Sequence, residues 1–110
     1  MVHPATTDHH QGRRYLVLGT AVICNATEQV EAELVNVGAG GLLAFSDAAL
    51  PLGERVDVRF SVQDYPLEVR VKGRVVHAAV GLLGIGFLEE PEALDEILVW
   101  LEAGFLSCLL

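Results

Sequence analysis

The chain has 110 residues, of which 52% are hydrophobic and 6% aromatic, and its formal net charge is −8. This length provides one domain with one aliphatic core, and the hydrophobic content favours a packed globular domain over a disordered chain. The acidic charge argues against general binding to DNA or RNA, because phosphate neutralisation needs a basic surface. Cys24 and Cys108 are far apart, so the chain has neither a zinc-site spacing nor a disulfide framework. We therefore expect reduced thiols in a cytoplasmic protein.

Residues 1–12 are polar, and we predict that they form a flexible N-terminal arm. His3, His9 and His10 lie in this segment, but no Cys, Asp or Glu completes a metal-ligand spacing with them. A solvated arm without a metal site is the prediction. The longest nearly apolar stretch, residues 75–88, is interrupted by His77 and three glycines and is too short for a membrane span.

Residues 15–88 contain short apolar or alternating segments that are separated by turn residues. Residues 55–62 alternate most clearly, with Val56, Val58 and Phe60 on one face and charged residues on the other. The first segment is almost continuously apolar, which predicts a strand covered on both faces. This pattern is typical of an antiparallel barrel or sandwich. The six predicted strands are residues 15–24, 30–37, 42–45, 55–62, 67–77 and 83–88.

One helix is predicted after the strands. Pro91 suits a first helical position, and the glutamates around it lie at the positive end of the helix dipole. The apolar stripe expected to pack on the sheet consists of Leu94, Ile97, Leu98, Leu101 and Phe105. Val99 and Trp100 fall beside this stripe, so Trp100 either packs at its edge or contacts a partner protein. The apolar tail, residues 107–110, is expected to dock on this domain or on another chain.

No catalytic constellation is apparent in the folded region. Nucleophilic catalysis needs a nucleophile, a base and an orienting group, and His77 is the only histidine there, among valines and alanines. Gly38, Gly40 and Gly41 do not form the dinucleotide fingerprint, because Leu43 holds the third glycine position and no helix opens there. We therefore predict that the chain is not an enzyme.

The two adjacent arginines, Arg13 and Arg14, precede the glycine-rich segment Asn36–Gly41 by some twenty residues. A guanidinium group can hold a phosphate with two hydrogen bonds and can stack on a base. A glycine turn lets backbone N–H groups approach a ligand closely. In an acidic protein, this combination suggests a local site for a small anion.

With these elements in order, the chain resembles the PilZ domain family over roughly residues 12–103. The resemblance rests on the two arginines and on four short segments: residues 34–43 (LVNVGAGGLL), 50–53 (LPLG), 73–76 (GRVV) and 84–87 (GIGF). It implies a mainly β fold, a six-stranded antiparallel Greek-key β-barrel with one C-terminal α-helix, over residues 13–106. It also implies a role in bacterial signalling by cyclic di-GMP.

The ligand motifs of that family are an Arg-x-x-x-Arg arm and an Asp/Asn-x-Ser-x-x-Gly turn. Arg13 matches the first arginine, but Val17 stands at the position of the second. Asn36 and Gly41 match the turn, but Gly38 stands at the position of its serine. The candidate residues for cyclic di-GMP are therefore Arg13, Arg14, Asn36, Gly38 and Gly41. The missing arginine and hydroxyl together remove about 3 kcal/mol of binding free energy, or about a hundredfold in affinity.

Two functional hypotheses follow. In the first, the domain has weakened or lost nucleotide binding and is an adapter for a regulatory protein partner in pilus or motility control. Its partner would contact Val99, Trp100 and Phe105 on the helix. In the alternative, the domain is a functional cyclic di-GMP receptor that uses Arg13 and Arg14 with the Asn36–Gly41 turn. Neither hypothesis requires a cofactor.

Overall fold

The computed structural model describes residues 13–108, and for residues 105–108 it describes the backbone alone. This part of the chain consists of seven strands followed by one helix. The elements are β1 (Arg14–Leu16), β2 (Gly19–Cys24), β3 (Gln29–Gly38), β4 (Gly41–Phe45), β5 (Arg55–Val62), β6 (Val69–Ala79), β7 (Leu82–Phe87) and α1 (Glu92–Cys108).

Six of the strands form a closed antiparallel barrel. The pairing runs in the order β3, β2, β5, β6, β7 and β4, and β4 pairs back with β3 to close the ring. The short strand β1 is additional and pairs with the end of β3. The predicted six-stranded antiparallel barrel with a C-terminal helix is therefore confirmed.

The first predicted strand, residues 15–24, is interrupted by a β-bulge. Both β1 and β2 pair with β3, with Leu16 opposite Asn36 and Thr20 opposite Glu33. Residues 17–19 therefore face only residues 34–35, so the first strand has one residue more than its partner over this interval. Such an extra residue bends the strand and increases its twist.

The prediction that this first strand is covered on both faces is wrong. Ala21 and Ile23 point into the barrel and are buried, whereas Leu16 is 84% exposed and Leu18 is also largely exposed. A small barrel has only one packed interior, and Leu16 and Leu18 lie on the outer face of the strand, outside that interior. The continuous apolar sequence therefore reflects an unusually apolar outer surface.

The barrel interior is aliphatic, as the composition predicts. The alternation in β5 is confirmed, since Val56, Val58 and Phe60 are all buried. The Phe60 ring lies parallel to that of Phe87, with 6.2 Å between the ring centroids. Among the residues whose burial is described, no polar or charged residue is buried. The core is thus held by apolar packing without an internal polar network.

The helix α1 packs on the barrel through its predicted stripe. Leu94, Ile97 and Leu98 are buried, and Leu101 is partly buried against the core. The helix begins at Glu92 rather than at Pro91, whose carbonyl group accepts the first helical hydrogen bonds. The part of the chain that the structure describes includes no helix with the length and hydropathy needed to cross a membrane.

Candidate functional site

The glycine-rich segment connects β3 to β4 in a tight hairpin. Gly38 ends β3 and Gly41 begins β4, so only Ala39 and Gly40 lie between the two strands. None of the three glycines has a positive φ angle. At Gly41 the reason for glycine is barrel closure, because an added Cβ would lie 2.1 Å from the Ile85 carbonyl oxygen. Gly41 therefore has a structural role in the pairing of β4 with β7.

Gly38 is constrained by the backbone of Arg13 and Arg14, the two residues that we call the arginine arm. It lies opposite Arg14 in the pairing of β1 with β3. A Cβ built on Gly38 would lie 2.7 Å from the Arg13 carbonyl oxygen, a distance that real Cβ atoms essentially never show. The position that is serine in the family motif thus has no room for a side chain while the arm follows this course.

Arg14 and Asn36 contact each other directly. The Arg14 Nε donates a hydrogen bond of 2.8 Å to Asn36 Oδ1 on β3. The pairing of β1 places both residues on the same end of the barrel as the glycine hairpin. Two of the sequence-predicted site residues are therefore brought together, although the Asn36 oxygen already accepts a hydrogen bond from within the chain.

Arg13 points away from that contact and toward the helix. Its Nη1 donates to both carboxylate oxygens of Glu102, at 3.0 Å from Oε1 and 2.8 Å from Oε2. Neighbouring residues of an extended chain point in opposite directions, which is why the two guanidinium groups do not converge. The attraction to the Glu102 carboxylate raises the pKa of Arg13 further above its usual value, so this guanidinium stays charged.

Tyr15 joins the same cluster. Its hydroxyl donates a hydrogen bond to Glu102 Oε1, and its ring packs against the core. Burial, with a further contribution from the hydrogen bond to Glu102, raises the pKa of the Tyr15 phenol above its usual value. We call Arg13, Tyr15 and Glu102 the arm–helix cluster. It ties the beginning of the described chain to α1.

Val17 has a packing role at the position where the family motif has its second arginine. Its side chain is half-buried and packs against the core. Its N–H donates to the Val35 carbonyl oxygen at 3.2 Å, inside the bulge between β1 and β2. The missing arginine is therefore replaced by a residue that stabilises the start of the barrel.

The predicted partner surface on α1 is only partly exposed to solvent. Val99 is 60% exposed, and Trp100 is 39% exposed. The Trp100 ring contacts the Tyr65 ring, with 5.1 Å between centroids and 58° between planes. Edge packing of Trp100 is thus observed, and its contact with a partner stays a prediction. The side chains of residues 105–108, which include Phe105, lie outside the described part of the chain, as do residues 109–110 and residues 1–12. Docking of the apolar tail therefore stays a prediction.

A cleft of about 560 Å³ lies on another part of the barrel surface, beside β2, β3 and the end of β4. It is bordered by Glu31, Glu33 and Asp47 and by none of the candidate ligand residues. Three carboxylates disfavour a phosphate ligand in this cleft. Among the side chains of residues 13–104, no group of three from His, Cys, Asp and Glu is arranged to hold a metal ion.

The closed antiparallel barrel, the arginine arm beside β3 and the helix on the barrel define a class of small β-barrel domains. The PilZ domain family model matches residues 8–103, so the chain belongs to the PilZ domain family. No curated protein sequence matches the chain.

Three solved structures are similar to this chain at low identity. The Bacillus subtilis Inhibitor of motility (MotI/DgrA) has a TM-score of 0.73 and 12% identity over 86% of this chain, which spans only 50% of that protein. The PilZ domain of YcgR from Escherichia coli, solved with c-di-GMP, has a TM-score of 0.66 and 15% identity. The match covers 88% of this chain and 94% of that domain. The PilZ domain of CeSA from a cellulose-synthesizing bacterium has a TM-score of 0.63 and 16% identity. The match covers 84% of this chain and 97% of that domain. At these identities the three structures show the shared fold.

Glu102 and Tyr15 are site residues that the sequence did not reveal. Glu102 belongs to no motif, and the sequence around Tyr15 indicates only a strand. The one available signal is that Glu102 flanks the apolar stripe of the predicted helix, which places its carboxylate near the barrel surface. The residue that it meets depends on how the helix docks.

Proposed function

We propose that this PilZ domain acts in cytoplasmic cyclic di-GMP signalling as a non-enzymatic adapter, with weakened or lost binding of the nucleotide. It would regulate pilus or motility functions by contacting a protein partner. The observation that carries this proposal is that both arginines of the arm are already engaged within the chain. Arg13 pairs with Glu102, and Arg14 donates to Asn36.

The geometry of the turn supports weak nucleotide binding. Asn36 offers one side-chain acceptor oxygen, which accepts from Arg14. Gly38 supplies no hydroxyl, and Val17 supplies no charge. The missing hydroxyl and the missing charge together remove about 3 kcal/mol, which predicts an affinity about a hundredfold below that of a domain with complete motifs.

The helix surface supports the adapter role. Val99 and Trp100 are adjacent, partly exposed apolar residues on α1, and tryptophan is enriched among the residues that dominate binding at protein interfaces. The similar protein from Bacillus subtilis is named an inhibitor of motility, which supports motility control as the setting of this proposal.

The alternative function, a cyclic di-GMP receptor, has one observation in its favour. Arg14 already lies against Asn36, at the same end of the barrel as the glycine hairpin. The similar YcgR domain was solved with c-di-GMP. In this alternative, Arg13 would leave Glu102 and join Arg14 on the ligand.

Calorimetric titration with cyclic di-GMP tests the nucleotide part of the proposal. The expected trace is flat or shows weak binding, because the arm lacks its second arginine. The Arg13→Ala variant is the control for heat that does not come from this site. A tight one-site isotherm that Arg13→Ala abolishes would establish the receptor and overturn the adapter.

The partner part of the proposal is tested by capture of binding proteins with variants of the exposed helix residues. Val99→Asp places a charge on the predicted interface without touching the core, and Trp100→Ala removes the large ring. We expect both variants to lose a protein that the wild-type chain captures. Val80→Asp, at a fully exposed residue between β6 and β7, is the matched control and should retain it. Retention by the two helix variants would contradict the proposal.

A further inference from the structure

We propose that Glu102 is an internal competitor for Arg13 and thereby sets the affinity of the arm for an anionic ligand. This inference rests on the proposed location of the nucleotide site at Arg13 and Arg14. It assigns a role in ligand binding to a helix residue that lies outside both ligand motifs.

The competition follows from the hydrogen bonds of one guanidinium group. Arg13 Nη1 lies within 3.0 Å of both carboxylate oxygens of Glu102. These residues are 89 positions apart in the sequence, so the contact exists only because α1 docks beside the arm. A phosphate oxygen or a guanine edge that is held through Nη1 would need the same N–H groups. Such a ligand must displace the carboxylate, and the negative charge of Glu102 also disfavours an anion at the other N–H groups of Arg13.

Tyr15 strengthens this competition. Its hydroxyl donates to the same carboxylate that Arg13 contacts, so Glu102 is held in position from two points on the arm. The Glu102 side chain is only 25% exposed, compared with 47% for Arg13. A carboxylate shielded in this way is less screened by solvent than an open surface ion pair.

The competition also links the ligand site to the helix surface. Glu102 is three residues from Val99 on α1, and residues three apart lie on the same face of a helix. A ligand that takes Arg13 removes one tie between the arm and the helix, and a partner that engages Glu102 releases Arg13 for the ligand. By thermodynamic linkage, each binding event must change the affinity of the other by the same factor.

Titration with cyclic di-GMP, followed by nuclear magnetic resonance, tests the inference because it measures even millimolar dissociation constants. Glu102→Gln keeps the size of the side chain and removes its charge. We expect it to bind about fivefold more tightly than wild type, the size of effect typical of a partly exposed ion pair. Adding Arg13→Ala to Glu102→Gln should abolish this gain.

Glu96→Gln is the matched control, because Glu96 is exposed on the same helix and its loss changes the net charge equally. It should bind like wild type. Urea unfolding of Glu102→Gln verifies that the variant is folded. Equal affinity of Glu102→Gln and wild type, absence of binding in both, or a gain that survives Arg13→Ala would each overturn the competitor role. Absence of binding in both would leave the adapter proposal intact, whereas tight wild-type binding would overturn the adapter but not the competitor.

Discussion

Gly38 shows how one absent side chain fixes the course of the arm. The Arg13 carbonyl oxygen occupies the space that a Cβ at position 38 would need. A serine at this position and the present path of the arm therefore exclude each other. The loss of the serine and the pairing of β1 with β3 are two aspects of the same local packing.

A Gly38→Ser variant should consequently be less stable. We expect its free energy of unfolding to fall by about 1–3 kcal/mol, because the new side chain collides with backbone atoms. Urea denaturation measures this change. Gly40→Ser is the control in the same hairpin, because nothing lies within 4 Å of a Cβ at that position. Equal stabilities of the two variants would show that the arm moves aside freely.

Tyr15 gives the arm–helix cluster a pH dependence. Burial and the hydrogen bond to Glu102 raise the pKa of its phenol above the ordinary value of 10.0. A raised pKa in the folded state means that the contribution is complete below pH 10 and is lost as the pH rises through the folded-state pKa. The wild-type chain should therefore lose stability above about pH 10 more steeply than Tyr15→Phe. Parallel profiles of unfolding free energy against pH would contradict this expectation.

The elements that the sequence predicted well are those with local signals. Alternation of valines with charged residues marked β5, and the spacing of Leu94, Ile97 and Leu98 marked the buried face of α1. The bulge between β1 and β2 depends on the register with β3, which no local pattern determines. Gly19 was the available hint, because a glycine within an apolar strand often marks a bulge or a close backbone approach.

The candidate site also contains residues with local sequence signals and a contact that has none. The adjacent arginine pair indicates Arg14 and the turn motif indicates Asn36, and the structure brings these two residues together. The departure of Arg13 toward Glu102 could not be predicted, since it requires the position of the docked helix. Contacts that join distant parts of the chain depend on tertiary packing, and a short motif contains no information about them.

Docking of α1 should depend on Ile97. Its side chain is fully buried, whereas Val99 on the same helix is largely exposed. We expect Ile97→Ala to lower the free energy of unfolding by about 2–5 kcal/mol, because it leaves a cavity beneath the helix. Val99→Ala should change it by less than about 0.5 kcal/mol. Denaturant titration of both variants checks the difference, and a similar effect of the two would indicate that the helix is not docked as described.

At the scale of the whole molecule, the barrel and the helix share one apolar core. Buried residues of α1 pack with buried residues of the strands in a single cluster. A domain of this size with one core generally unfolds in one cooperative step. The helix is thus an integral part of the folded unit.

Coincident unfolding transitions are therefore expected from two probes. Trp100 is the only tryptophan in the chain and reports on the contact of α1 with Tyr65. Far-ultraviolet circular dichroism reports on the strands and the helix together. We expect both signals to change at the same urea concentration. An earlier change in Trp100 emission would show that the helix separates before the barrel opens.

The meeting of Arg13 with Glu102 also has a consequence for protein engineering. Arg13 precedes the first strand and Glu102 lies in the last helix, so a short peptide linker could join the chain near these two positions. The tip between β6 and β7, where Val80 is fully exposed and Gly81 adopts a positive φ angle, offers a place to open the chain. Exposed tips of this kind are where new termini are best tolerated. The barrel is accordingly suited to circular permutation or to insertion as a module within a host enzyme.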